Sequence, residues 1–232
     1  MTNLTGKERA RYVQDMFTRI APSYDLMNRL MTGGQDVQWR KQVIRLAQLT
    51  SNARLLDLGA GTGDLAREAL RQQPQARVTA ADFTLEMMRV GSRNGSLPWS
   101  AADALRLPYK DETFDAVISG FLMRNVADVN LALKEQHRTL KPGGRIVILD
   151  TTRPKKNLIS PFIWIHMHVI IPFIGGLFSG FRDAYQYLPN STENFLTAEE
   201  LAVRMAAAGF KNVNFKRLMY GTIAIHYGEK EL

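Results

Sequence analysis

The sequence contains the stretch Leu55-Leu56-Asp57-Leu58-Gly59-Ala60-Gly61-Thr62-Gly63-Asp64-Leu65, in which a short apolar run leads into a glycine-rich turn. Such a run predicts a buried parallel strand. The glycines let the backbone turn sharply and lie close to a ligand, because no Cβ is in the way. An Ala/Leu-rich pattern from about Asp64 to Gln72 then predicts a helix whose free N–H groups point back at the turn. The stretch therefore predicts a strand, a ligand-binding turn and a helix of an α/β fold.

The glycine spacing differs from the dinucleotide fingerprint G-x-G-x-x-G, since the third glycine comes one residue early. Asp57 is predicted at the carboxyl end of the strand, where open α/β sheets bind ligands. A carboxylate there suits a cationic or amine-bearing ligand and would repel a pyrophosphate. The pattern D-x-G-x-G-T-G-D resembles the S-adenosylmethionine (SAM) loop of class I methyltransferases. This resemblance implies cofactor contacts from Asp57, Gly59, Gly61, Thr62 and Gly63.

Composition limits the partners and the compartment. The chain has 232 residues and a net charge of +8, which would suit nucleic acid, an anionic lipid surface or an anionic substrate. It contains no cysteine, so neither a disulfide nor a thiolate metal site can form. Its histidines show no metal-ligand spacing, and we expect no metal. The first 19 residues carry many charges and no apolar core of a signal peptide, so a cytoplasmic protein is expected.

Residues 1–50 are predicted to form a helical cap. A first helix is indicated by apolar residues at helical spacing, namely Val13, Met16, Phe17 and Ile20. Pro22 is expected to end or kink it, and a second helix is predicted over Gln35 to Leu49. Two interpretations stay open: the helices only cover a sheet edge, or they form a lid that closes over the ligand and excludes water. In the second interpretation Tyr24 is the candidate substrate contact.

Two further acidic residues follow predicted strands. Asp82 ends the second strand roughly 20 residues beyond the glycines, where nucleotide-binding folds place the acid that holds a ribose. It could also be the N-cap of the next helix, and both roles are compatible. Asp103 follows the third strand and could accept from an adenine amino group while Ala104 offers its backbone, although an acid there is often a surface turn residue. Ser119, the last residue of the predicted fourth strand, is added to the cofactor contacts.

The remaining pattern completes an alternating α/β chain. The turn Lys141-Pro142-Gly143-Gly144 precedes a predicted fifth strand over Arg145 to Asp150. A capping box at Thr197 to Glu200 opens a helix, and two strands are predicted over 213–218 and 222–227. We therefore predict one methyltransferase domain over 1–232, made of a lid (1–50), a SAM-binding core (51–152), an apolar insertion (153–196) and a C-terminal helix with a strand pair (197–232).

Several segments resemble the ubiquinone/menaquinone C-methyltransferase family over nearly the whole chain. They are Ile20-Ala21-Pro22-Ser23-Tyr24-Asp25-Leu26-Met27-Asn28, Gly33-Gly34, Phe121-Leu122-Met123-Arg124-Asn125-Val126, Tyr185-Gln186-Tyr187-Leu188 and Ala224-Ile225-His226-Tyr227-Gly228. The resemblance implies a Rossmann-like class I methyltransferase with a seven-stranded, mostly parallel sheet whose last strand is antiparallel. It also implies methylation of a ring carbon on a prenylated quinol. The chain departs from the family pattern at Leu122, where glycine is usual, and at Gly120, where serine is usual.

The chemistry of such a reaction assigns roles to the Arg124-Asn125 pair. A quinol ring carbon becomes nucleophilic when the neighbouring hydroxyl loses its proton, and the unperturbed pKa of a phenol is about 10. Arg124 is therefore predicted to be catalytic and to bind substrate by stabilising the phenolate, and Asn125 to orient the hydroxyl. The alternative is a helix-start turn with a surface arginine.

Among substrates we expect demethylmenaquinol, converted to menaquinol, with the ubiquinone precursor as the alternative ring. Two other classes compete, a nucleic-acid methyltransferase and a SAM-binding module without catalysis. Basic residues are scattered and no N-P-P-Y-like base-flipping motif is present, so no nucleic-acid partner is expected.

The predicted insertion contains an apolar run, 157–181, without any Asp, Glu, Lys or Arg. Its length would allow a membrane span. Pro161, Pro172 and Gly175-Gly176 break it, however, and a single span would separate the strands at 211–228 from their sheet. Either the run is a buried cover of the sheet edge, or it is an apolar mouth for a prenyl tail resting in the lipid interface. The second interpretation predicts peripheral contact with the inner face of the membrane, and a homodimer is compatible with the sequence.

Overall fold

The computed structural model describes residues 6–154, 160–179 and 182–232. The strands in these residues are β1 (Arg54–Leu58), β2 (Arg77–Asp82), β3 (Trp99–Ala101), β4 (Phe114–Gly120), β5 (Leu140–Thr151), β6 (Phe210–Leu218) and β7 (Ile223–Lys230). They form one seven-stranded sheet in the order β3-β2-β1-β4-β5-β7-β6. Strands β1 to β5 are parallel, and β7 pairs antiparallel with both β5 and β6. The predicted fold class is confirmed.

Helices flank the sheet on both faces. They are α1 (Gly6–Ile20), α2 (Tyr24–Met31), α3 (Gln35–Ala47), α4 (Asp64–Gln72), α5 (Leu85–Ser92), α6 (Val129–Thr139), α7 (Ser160–Ile165), α8 (Ile171–Ser179), α9 (Arg182–Glu193) and α10 (Ala198–Ala207). Short 3₁₀ turns lie at Ala21–Ser23 and Met219–Gly221, and a π-helical segment at His166–Ile170 joins α7 to α8.

The core lies on both faces of the sheet because successive strand residues point to opposite sides. Leu55 packs in the cluster beneath α3 and α4, with Val43 and Ala66. Leu56 packs in the opposite cluster beneath α6 and α10, with Leu133. All of these side chains are fully or almost fully buried, which explains why β1 is a continuous apolar run rather than an alternating one.

The chain order creates a topological switch point. It passes from β1 to β2 and β3 on one side, and then returns to β4 on the other side of β1. In such sheets the diverging connections leave a crevice beyond the carboxyl ends of the strands. The glycine-rich turn after β1 and the Phe121–Asn125 segment after β4 both lie at this crevice.

The N-terminal region differs from its prediction by one helix. The first helix ends at Ile20, just before Pro22 as expected, and Pro22 lies in the 3₁₀ turn that leads directly into α2. We did not predict α2, because a helix of eight residues is too short to show a clear period. The second predicted helix is α3, which stops at Ala47 with Gln48 in the left-handed conformation.

The predicted Lys141-Pro142-Gly143-Gly144 turn is not a separate connection. It lies within β5, where the pairing with β4 shifts from Phe114↔Leu140 to Ala116↔Arg145. Gly143 has a φ of 71°, which a residue with a side chain rarely adopts. The turn signal therefore marks an irregularity inside a strand.

The apolar insertion is helical in its described part, with α7, the π-helical segment and α8 in succession. Residues 155–159 and 180–181 lie outside the described residues, as do the side chains of Tyr185, Gln186 and Leu188. Ile171 of α8 packs with Met16, Ile20 and Met27, so the insertion contacts α1 and α2. In the described part of the chain, no helix combines the length and apolar character needed to cross a membrane.

Candidate cofactor and acceptor site

The glycine-rich turn is the floor of the crevice. Gly59, Gly61 and Gly63 have φ values of 67°, 58° and 90°, in the left-handed region that favours glycine. A Cβ on Gly59 would lie 2.9 Å from Cδ1 of Leu122, and one on Gly63 would lie 2.7 Å from Cδ1 of Leu97. The turn therefore needs glycine for its conformation and for the space above it.

Asp57 lies behind this turn as a fully buried acid. Its Oδ2 accepts from the backbone N–H of Ala66 in the first turn of α4, at 2.9 Å. Its Oδ1 is buried and has no hydrogen-bond partner among the described residues. Burial raises the pKa of this carboxyl to about 7. A buried carboxylate oxygen that lacks a partner can accept from an ammonium group, so Asp57 suits the amine of SAM.

Asp82 links the end of β2 to the glycine-rich turn. Its Oδ2 accepts from the N–H of Gly61 and its Oδ1 from the N–H of Thr84, each at 2.7 Å. The N-cap of α5 is Thr84, so the predicted alternative role of Asp82 as the N-cap residue is wrong. Burial raises the pKa of Asp82, although these backbone N–H groups oppose the rise.

Two connected clefts lie above these residues. The larger, with a volume of about 840 Å³ including its open mouth, is lined by Asp82, Asp103, Ala104, Asn125 and residues of α1. The smaller, of about 370 Å³, is lined by Arg40, Thr62 and Asp64 among others. Both clefts share five lining residues, which are Tyr24, Gly59, Gly61, Gly120 and Phe121.

The shared wall contains two unusual side chains. Tyr24 lies on α2, and burial raises the pKa of its hydroxyl, so it stays protonated at neutral pH. Phe121 has a φ of 60°, a conformation that bulky residues rarely adopt outside strained or functional sites. The junction of the two clefts thus contains a buried, protonated tyrosine and a residue with a strained backbone.

The sequence-predicted residues divide into two groups. The ones brought together in the cleft walls are Tyr24, Gly59, Gly61, Thr62, Asp82, Asp103, Ala104 and Asn125. Four others, Asp57, Gly63, Ser119 and Arg124, are not among the described lining residues. Ser119 is fully buried, and its hydroxyl has no partner among the described residues. Asp103 is exposed and accepts from the N–H of Leu105 at 2.9 Å. It is therefore a surface turn residue that also lines the larger cleft.

Arg124 is buried, so the alternative of a surface arginine is wrong. Its Nη1 donates to Oδ1 of Asp150 at 2.8 Å, and its backbone N–H donates to Oδ2 of the same carboxylate at 3.2 Å. The guanidinium also lies 5.1 Å from the ring centroid of Phe121. Arg124 therefore ties the segment after β4 to the end of β5, and sequence reasoning missed Asp150 as the partner that holds Arg124.

Asn125, the next residue, faces the larger cleft. Its Nδ2 donates to the carbonyl of Phe121 at 2.9 Å, and its Oδ1 accepts from the hydroxyl of Tyr187 on α9 at 3.3 Å. Asn125 thus connects the strand end to the apolar insertion.

Sequence reasoning also missed the bonds that hold the N-terminal helices over the crevice. Arg9 donates to the carbonyl of Arg124 at 2.6 Å, and Gln14 donates to the carbonyl of Phe83 at 3.1 Å. Thr62 donates to Oδ1 of Asp25 on α2 at 2.6 Å. The first two bonds end on backbone carbonyls, which leave no signal in the sequence, so only the amphipathic spacing of α1 was visible there. Among the described residues, no group of three acidic or histidine side chains could hold a metal ion.

An open sheet with this strand order, a glycine-rich turn after β1 and an acid at the end of β2 define the class I SAM-dependent methyltransferases. The model of the ubiE/COQ5 methyltransferase family matches residues 4–230. The chain belongs to this family, and it is a SAM-dependent methyltransferase, as the resemblance predicted.

Two relatives match nearly the whole chain. The ubiquinone/menaquinone biosynthesis C-methyltransferase UbiE of Desulfotalea psychrophila is 44% identical, and the aligned region covers 94% of this chain and 90% of the UbiE chain. The demethylmenaquinone methyltransferase of Thermus thermophilus is 43% identical and covers 93% of this chain and 100% of its own.

Among solved structures, a SAM-dependent methyltransferase from Thermotoga maritima has a TM-score of 0.66 at 20% identity, covering 94% of this chain and 100% of its own. The Haemonchus contortus phosphoethanolamine N-methyltransferase 2, solved with S-adenosylhomocysteine, has a TM-score of 0.61 at 15% identity. The match covers 81% of this chain and 51% of the Haemonchus chain. These two likenesses concern the fold alone.

Proposed function

We propose that the protein transfers the methyl group of SAM to a ring carbon of demethylmenaquinol and so forms menaquinol. The observation that carries this proposal is the continuity of the two clefts, which join the acidic strand ends to Asn125 and, through Tyr187, to the insertion. The names of relatives that match nearly the whole chain support the choice of acceptor. The benzoquinol precursor of ubiquinone is the second candidate, because the name of one relative includes both pathways.

The cofactor residues are assigned from the cleft walls. SAM supplies a methyl group carried on a sulfonium. Asp82 accepts from the ribose hydroxyls, since each of its oxygens uses one lone pair for a backbone N–H and keeps another. Asp103 and the backbone of Ala104 face the adenine. Asp57 holds the ammonium from behind the glycine-rich turn, and Thr62 and Ser119 stay predicted contacts.

The acceptor side is assigned to Tyr24 and Asn125. Tyr24 keeps its proton and can donate to a quinol oxygen at the junction of the clefts. Asn125 uses one N–H for the carbonyl of Phe121, so its second N–H can orient the quinol hydroxyl. Such contacts matter because methyl and carbon must be held about 3 to 3.5 Å apart.

For Arg124 we propose a narrower role than the sequence suggested. Its Nη1 is already bonded to Asp150, and the described cleft walls do not include it. We assign it as a positioning residue that fixes Phe121 and Asn125, with its charge acting on the cleft at a distance.

Helices α1 to α3 are proposed to be a lid over the cofactor. Ala10, Val13 and Phe17 of α1 line the larger cleft, and bonds from Arg9 and Gln14 hold α1 against the far wall. Such a cover would exclude water from the crevice.

The insertion is proposed to rest in the surface of a membrane, where a prenylated quinol resides. Large apolar side chains of this segment are exposed, namely Phe162, Trp164, Ile165, Val169, Ile170 and Phe173. Leu26 and Leu30 of α2 are also exposed, and α2 contacts α8. An apolar surface of this extent beside a substrate cleft is typical of a membrane or lipid contact.

The experiment that tests the proposed function uses methyl-labelled SAM and membranes from a bacterium that lacks quinone C-methylation. The purified protein is added, the lipids are extracted, and the labelled lipid is identified by mass spectrometry. We expect label in menaquinone. Label in a ubiquinone precursor would support the second candidate, and label in nucleic acid or in no lipid would contradict the proposal.

A further inference from the structure

We propose that Arg40 binds the carboxylate of the methionine part of SAM in the smaller cleft. This inference rests on the assignment of the two clefts to SAM, and it adds a residue from the lid to the cofactor site. Arg40 lies on α3, and among the described residues that line the smaller cleft it is the only cationic one.

Arg40 is buried and firmly held. Its Nη1 contacts Oδ2 of Asp64 at 3.1 Å, and the same nitrogen donates to Oδ2 of Asp36, one helical turn earlier on α3. Asp36 is also bonded by Arg29, at 2.6 Å. Both carboxylates reach Arg40 through Nη1, so neither occupies Nε or Nη2. A guanidinium has five N–H groups, and the remaining donors can hold a further carboxylate.

The charge of Arg40 acts on the whole junction. Burial raises the pKa of Tyr24, of Asp25 and of Asp57, and in each case the positive charge of Arg40 opposes the rise. Its charge is therefore felt by α2 and by the end of β1 as well as by the cleft it lines.

The chemistry of the ligand requires such a cation. The methionine part of SAM carries an ammonium and a carboxylate close together. Asp64 lines the smaller cleft, Asp25 accepts from Thr62 in its wall, and Asp57 is buried behind the glycine-rich turn. These acids suit the ammonium and repel the carboxylate. The N–H groups at the start of α4 favour an anion but do not cancel three acids. Arg40 supplies the cation that lets a zwitterion bind there.

The test compares two ligands by isothermal titration calorimetry: S-adenosylhomocysteine and its analogue with the carboxylate replaced by hydrogen. A charge-assisted bond predicts that the wild type prefers the carboxylate ligand by about tenfold to a hundredfold. We expect Arg40→Met to bind both ligands alike. The matched control is Arg29→Met, which removes another cation bonded to Asp36 but absent from the described lining of the cleft, and it should keep the wild-type preference.

Because Arg40→Met leaves Asp36 buried with one cation fewer, the double variant Asp36→Asn/Arg40→Met is measured beside it, with thermal melting of every variant. It too should lose the preference. Folded variants without Arg40 that keep the full preference would overturn the role of Arg40, as would an equal loss in Arg29→Met. Failure of the wild type to bind S-adenosylhomocysteine would instead overturn the cofactor site, and this proposal with it.

Discussion

At the scale of single residues, Asp57 links the pH dependence of stability to the cofactor site. Burial raises its pKa from 3.8 to about 7. Between these values the folded protein keeps a proton that the unfolded chain has lost, so this group lowers stability as the pH rises from about 4 to 7. Above about pH 7 Asp57 is ionised in the folded protein too, so its effect on stability no longer changes with pH.

Asp57→Asn removes this dependence. We expect its stability relative to the wild type to rise with pH by about 1 kcal/mol per unit between pH 5 and 7, and then to level off. The measurement is thermal or urea unfolding of the ligand-free proteins at pH 5, 6, 7 and 8. A difference that stays constant across this range would show that Asp57 is not the buried acid we describe.

Arg124→Ala should separate turnover from cofactor binding. It frees Asp150 and the Phe121–Asn125 segment, and a misplacement on the order of 1 Å can lower the rate about a hundredfold. We therefore expect kcat to fall by that order while the affinity for S-adenosylhomocysteine stays within about threefold. Arg89→Ala, on the exposed face of α5, is the control. Near-normal turnover of a folded Arg124→Ala protein would remove this residue from the mechanism.

Some of these residues could be predicted and others could not, for a physical reason. Asp82 and Asp103 each follow an apolar run, so their places at strand ends are visible in the sequence. Arg40 and Asp36 stand in an amphipathic helix, where charged residues usually face water. Their burial depends on Asp64 and Arg29, and no local pattern reveals that contact.

At the scale of elements, the proposed lid is held to the crevice by two bonds to backbone carbonyls and by the side-chain bond from Thr62 to Asp25. The double variant Arg9→Ala/Gln14→Ala removes the bonds from α1 to Arg124 and Phe83. Each such bond contributes about 1 kcal/mol, so S-adenosylhomocysteine should dissociate on the order of tenfold faster, as measured by stopped-flow competition. Arg11→Ala, exposed on the same helix, should leave the rate unchanged. Equal rates in all three proteins would mean that α1 does not close the cleft.

The regular elements of the sheet were predictable because β1, β2 and β4 are apolar runs bounded by turn residues. Short elements were not. The helix α2 has only eight residues. The Lys141-Pro142-Gly143-Gly144 segment inside β5 has the same residue types as a loop between two elements, so its place within a strand was not predictable. The insertion posed a different problem, since its apolar composition fits a buried cover and an exposed surface equally well. Only the packing of α8 against α1 and α2 shows which of its residues remain exposed.

At the scale of the whole molecule, we expect the insertion to bind lipid. Phe162 and Phe173 are 72% and 69% exposed, and burying one phenylalanine stabilises binding by about 2 kcal/mol. Phe162→Ser/Phe173→Ser should therefore weaken binding to vesicles of anionic phospholipid at least tenfold in a flotation assay. Val203→Ser, 68% exposed on α10, is the control. Unchanged binding would contradict the membrane contact, and a dimer that the double variant dissociates would assign this face to a second copy.

The central claim is that one crevice brings SAM and a demethylmenaquinol ring together at Tyr24 and Phe121. The most direct measurement is methyl transfer by the purified protein alone, with labelled SAM and demethylmenaquinol in lipid vesicles. We predict label on the ring carbon of menaquinol, produced in proportion to enzyme and lost in Asp82→Ala, which removes the acid proposed to hold the ribose. A protein that binds S-adenosylhomocysteine but places no label on the quinol would contradict the account.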